Sequence, residues 1–145
     1  MIDDAEIYEG RDIVNLAFAG TGVYVAAAVI ATIAPDGFGG VVAAIALVLA
    51  AIGVVAFVWS YVVAIGRSRV DEIGIGGLYF LAGSAPKVVR IRLLGTLALE
   101  VVVAIASSSI RPFTSVAFGV LVPLFGLGLT GLWGARHGTF SPRST

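Results

Sequence analysis

FGGVVAAIALVLAAIGVVAFVWSYVVAI, from Phe38 to Ile65, contains 28 residues and not one charge. The hydrocarbon core of a bilayer is about 30 Å thick and a helix rises about 1.5 Å per residue, so about 20 apolar residues suffice to cross it. This stretch reads as a membrane-spanning helix with length to spare, and it is expected to tilt or to protrude into the cytoplasm. Working outward, three more segments share its character, at about 13–34, 88–108 and 113–135. The whole chain agrees: 59% of its 145 residues are hydrophobic and 12% charged, where a soluble domain carries about 25%. Nothing in it marks a linker, so one domain, residues 1–145, is expected.

The connections follow from local chemistry. Pro35, Asp36 and Gly37 suit a tight turn, because proline presets its φ and glycine accepts angles that other residues avoid. Arg111 and Pro112 interrupt the apolar run after Ser107, Ser108 and Ser109. Ser84 and Pro86 look like a cap and a first-turn proline opening the third span. The predicted fold is all-α, an integral membrane four-helix bundle of two antiparallel helical hairpins joined by an interfacial cytoplasmic loop, residues 67–87. A cleaved signal peptide is the competing reading of the first span. It is disfavoured because the leader carries Asp3, Asp4, Glu6, Glu9 and Asp12 against only Arg11, whereas signal peptides open on a basic segment.

Orientation is read from Lys and Arg, which stay on the cytoplasmic side in short loops. Arg11, Arg67, Arg69, Lys87, Arg90, Arg92, Arg136 and Arg143 fall on one side and only Arg111 on the other. The expectation is a multi-pass protein of the plasma (inner) membrane with both termini cytoplasmic. Nine basic residues balance nine acidic ones and cysteine is absent. Nucleic acid is therefore not an expected partner, and thiol chemistry is excluded.

Lipid is as apolar as leucine, so spans associate where small residues let backbones approach. Ala46, Ala50, Gly53, Ser60 and Ala64, with Phe57 in the same stripe, mark such a face on the second span. In the fourth, Pro123 lacks an amide proton and would clash with the residue four positions earlier, Gly119. The pair is a candidate hinge, either a kink that serves packing or a moving gate.

Glu100 is the one ionisable side chain deep in a span, and an acid at that depth costs about 2.5–3.5 kcal/mol even on a lenient scale. Thr96 lies one turn before it and Ser107 two turns after, which makes this face polar. Two readings stay open: a proton or cation site, or a structural acid bonded to a neighbouring Thr, Ser, Tyr or Trp or to a partner's cation. In the central loop, Leu78, Tyr79, Phe80 and Leu81 fit a segment lying at the membrane interface, covering helix ends or docking another subunit. Lys87, Arg90 and Arg92 are placed to meet anionic headgroups.

Gly126, Gly128 and Gly131 match G-x-G-x-x-G in form only, since a dinucleotide site needs a strand before it. His137, the only histidine, builds no metal site alone, and is expected to cap a helix end. Tyr8 and the acidic leader admit either a surface helix or disorder. No cofactor is expected.

VDEIGIGGLYFLAGSAPKVVR, Val70–Arg90, and LWGARHGTFSPR, Leu132–Arg143, resemble uncharacterised small four-span membrane proteins of actinobacteria. That resemblance implies the four-span fold and no activity. Small multidrug-resistance transporters are similar in length and in their membrane glutamate. Theirs lies in the first span, however, and this chain has Glu100 in the third. The functional expectation is a small polytopic protein serving as an accessory or structural subunit of a larger membrane assembly. Its partners would be the bilayer and another membrane protein or a second copy. The alternative is a proton-coupled transporter or pore that works as a homo-oligomer through Glu100. An enzyme is not expected.

Overall fold

A computed structural model describes residues 10–144; Asp3, Asp4, Glu6, Tyr8 and Glu9 of the leader, and Thr145, lie outside them. The described chain is helical. Its elements are α1 (Arg11–Ile33), α2 (Pro35–Arg67), a short α3 (Ile75–Tyr79), α4 (Lys87–Ile110), a 3-10 helix (Ser115–Leu121) and α5 (Pro123–His137). Among the described residues, three stretches are long and apolar enough to cross a membrane: Arg11–Ile33, Asp36–Arg67 and Ser115–His137. Their outward faces are apolar too, with Val55, Val58, Trp59 and Val62 of α2 exposed. An exposed apolar surface of this extent is the inverse of a water-soluble helix.

The reversal after α1 is the expected turn. Asp36 has φ −71° and ψ 102° and Gly37 has φ 105° and ψ −23°, close to the central pair of a type II turn, whose second position favours glycine. Regular helix starts after it, and α2 packs back on α1. The most extensive contact in the molecule joins α2 to α5. Ala46, Ala50, Gly53, Ser60 and Ala64 are all buried, as the small-residue stripe predicts. A side chain at Gly53 would run into the Leu124 backbone, and one at Gly128 into the Gly53 carbonyl, so the two helices meet backbone to backbone. Phe57 is partly exposed but stacks on Tyr79, ring centroids 4.8 Å apart.

The last span departs from a continuous helix at 113–135. Residues Ser115–Leu121 wind as a 3-10 helix and α5 opens with Pro123 at its first turn, a position where the missing amide is no loss. Half of this span is buried, against 28% of α1 and 33% of α2. It is therefore the central element, which explains why glycine is so frequent in it.

Two corrections concern residues 67–87. Leu78, Tyr79 and Leu81 are buried and only Phe80 is exposed, so this segment does not offer a four-residue docking surface. It folds inward because α5 presents small residues: the Leu78 carbonyl lies against Gly134 and the Tyr79 ring against Gly131. Ser84 does not cap α4. Its hydroxyl donates to the Gly77 carbonyl, and Pro86 occupies the cap position.

The tail closes over this segment. Glu72 N–H donates to Ser141 O (2.8 Å), Arg143 N–H to Val70 O (2.8 Å) and Thr139 N–H to Ser84 O (2.8 Å). Arg67 locks the arrangement: it pairs with Asp71 Oδ2 at 2.9 Å, donates to the Ala135 carbonyl at 3.1 Å and stands 5.2 Å from the Phe140 ring centre. A cation on the carbonyl end of α5 is electrostatically well placed.

Candidate functional site

The buried stripe of α4 runs Val89, Leu93, Thr96, Glu100, Ala104, Ser107, the three-and-four spacing of one helix face. It puts Glu100 thirteen residues into the helix, about 20 Å from its start. The side chain is 0% exposed. The facing stripe of α1 contains Gly20, Thr21, Tyr24 and Ala28, and Thr21 is the polar residue that meets the acid. The Thr21 hydroxyl donates to Glu100 Oε1 at 2.6 Å, and the Gly126 backbone N–H donates to Oε2 at 3.1 Å.

Glu100 thus joins three helices. The Gly126 amide lies in the first turn or so of α5, where partial positive charge gathers and an acid is favoured. Because Pro123 breaks the last span there, a carboxylate reaching across from α4 works as a cap supplied by another helix. Glycine at 126 leaves the acid its place: an added Cβ would sit 2.5 Å from Glu100 Oε2 and 3.1 Å from Leu97, so that either side chain would have to shift. Its carbonyl is also engaged, accepting the Thr130 hydroxyl at 2.7 Å.

The structure separates residues that the sequence grouped. Thr96 and Ser107 share the buried face with Glu100, but Thr96 donates to the Leu93 carbonyl of its own helix at 2.8 Å and Ser107 to Ala104 O at 3.4 Å. Gly119 gives up its side chain to make room for the Tyr24 hydroxyl, which a Cβ there would strike. That hydroxyl is buried without a hydrogen bond of normal geometry and faces Ser107 and Glu100. His137 ends α5 and leans on Trp133, ring centres 5.7 Å apart.

No cation among the described residues lies within ion-pair distance of Glu100, and no described cluster of His, Asp or Glu is arranged to hold a metal. Two grooves between α1 and α4 flank the Thr21–Glu100 contact. One groove of about 360 Å³ runs from Arg92 to Leu99, and another of about 240 Å³ lies beside Thr32, Ser107 and Ile110. Compared with known proteins, the chain matches no family, no curated protein and no solved structure.

Proposed function

We propose that this chain crosses the plasma (inner) membrane four times, as two antiparallel hairpins with both termini cytoplasmic, and serves as an accessory or structural subunit of a larger membrane assembly. The fourth crossing is α4. Its 24 residues extend about 36 Å, and Glu100 is its only charge from Leu93 onward. The bond from Arg67 to Ala135 O supports it, because it joins the ends of two helices that run the same way. That pairing favours a return crossing between them, and α4 has the length for it. The lopsided Lys and Arg count supports the orientation. Val70–Arg90 and Leu132–Arg143 meet as one clasp of loop and tail, which supports reading them as a single structural unit.

One observation carries the functional reading: both oxygens of Glu100 are committed to Thr21 and Gly126. We read the single deep acid as one that ties helices together, and what the molecule offers outward is apolar helix surface on α1, α2 and α4. Purification in mild detergent tests this. A second polypeptide in fixed ratio is the expected result. A chain that emerges alone and conducts protons in vesicles would overturn it.

The competing transport reading has one observation in its favour. Glu100 Oε2 sits on the amide just past the break in the last span, so loss of its charge would act directly on α5. Under that reading Glu100→Gln abolishes proton flux while the protein stays folded.

A further inference from the structure

The groove between α1 and α4 that ends at Arg92 has a chemistry of its own. We infer that it holds an anionic phospholipid, with an acyl chain along Phe18, Gly22, Ile91, Gly95 and Leu99 and the headgroup phosphate on Arg92. The inference rests on the four-span reading above and on nothing in the accessory-subunit assignment.

Gly22 and Gly95 open the argument. Glycine is the weakest ordinary helix former, and in a membrane helix it is normally repaid by close approach of a neighbour. Gly53, Gly126 and Gly128 have such neighbours, whereas a Cβ on Gly22 or Gly95 would meet nothing within 4 Å. These two positions face the groove of about 360 Å³ and keep it open.

Charge then decides the occupant. Arg92 is exposed and is the groove's one charged residue. It lies five residues into α4, about 8 Å from the helix start, which on the four-span reading puts it near the cytoplasmic headgroups. The two threonines of the groove are already committed, Thr21 to Glu100 and Thr96 to Leu93 O. The site is therefore an apolar trough with a single guanidinium at its mouth, which suits an amphiphile with a negative head. Guanidinium binds phosphate through paired hydrogen bonds, and a zwitterionic lipid brings its own cation against Arg92. A second copy fits worse: inserted in the same orientation, it would set its Arg92 against this one.

The test uses the full chain, purified in mild detergent with equal phosphatidylglycerol and phosphatidylcholine, and lipid retained on the protein is measured by native mass spectrometry. The wild type is expected to retain phosphatidylglycerol about fivefold over phosphatidylcholine, and Arg92→Gln to remove that preference. Gly95→Leu, which fills open space, is expected to reduce retention of both lipids with the thermal midpoint unchanged. Gly22→Leu repeats the test from the opposite wall. Equal retention of the two lipids by the wild type, or retention that neither wall variant alters, would overturn the inference. So would full competition by inorganic phosphate, which marks a bare anion site, or a dimer that Gly95→Leu abolishes. A protein that stays in the aqueous phase without detergent would instead sink the membrane reading itself.

Discussion

Glu100 holds two donors with two oxygens, and its substitutions separate charge from hydrogen bonding. Glutamine can turn its carbonyl to the Gly126 N–H and its amide to the Thr21 oxygen, so Glu100→Gln is expected to cost under about 1 kcal/mol in thermal unfolding in detergent. Alanine offers neither and leaves both donors unmet in a dry interior. Its expected cost is about 2–4 kcal/mol, from the lost bonds and the cavity. A large loss with glutamine would mean that the carboxylate charge itself holds α5. Gly126→Ala probes the same contact from the other side, because its Cβ would crowd Oε2 at 2.5 Å and push the acid off its amide. Alone it should destabilise by about 1–3 kcal/mol. Combined with Glu100→Ala it should cost less than the two separate losses together, since the atom it strikes is gone. Strict additivity in that double-mutant cycle would show that the two residues do not touch.

At the scale of helices, the α2–α5 seam depends on the absence of side chains. A Cβ at Gly53 meets the backbone of Leu124 and Phe125, and backbone cannot step aside as a side-chain tip can. Gly53→Leu is expected to wedge the helices apart and to lower stability by about 3 kcal/mol or more. Gly66→Ala, in the same helix with nothing within 4 Å, should be neutral or stabilising by about 0.5–1 kcal/mol. Equal effects at the two sites would refute the seam. This face was legible in the sequence, because small residues recurring at three and four positions leave only one side of a helix for a neighbour. The turn at Asp36–Gly37 and the break at Pro123 were legible for the same local reason. The partners of Glu100 were not: Thr21 is 79 residues away and Gly126 is 26, and no local pattern sets such distances. The 3-10 winding of Ser115–Leu121 and the inward fold of Leu78, Tyr79 and Leu81 also depend on contacts with distant helices. Hydropathy, which takes residues one at a time, assigned them to plain helix and to the interface.

For the molecule as a whole, the four-crossing reading is decided by which side of the membrane Phe113 and Ser144 face. If α4 crosses, the chain passes from the basic side at Arg69 to the opposite side at Phe113 and returns by Ser144. If α4 lies along the surface instead, Phe113 stays on the side of Arg69 and Ser144 ends on the other. The natural chain has no cysteine, so Arg69→Cys, Phe113→Cys and Ser144→Cys each carry one thiol in a clean background. Phe113 is fully exposed in its connection and all three side chains reach solvent. With an impermeant maleimide applied to intact cells, Phe113→Cys should label at once, and the other two only after the membrane is opened. Labelling of Ser144→Cys but not Phe113→Cys from outside would reduce the crossings to three. It would also part Arg67 from Ala135, whose 3.1 Å bond requires the ends of α2 and α5 to share one side. Loss of that bond would take the clasp of loop and tail with it, so the labelling pattern tests the packing along with the topology.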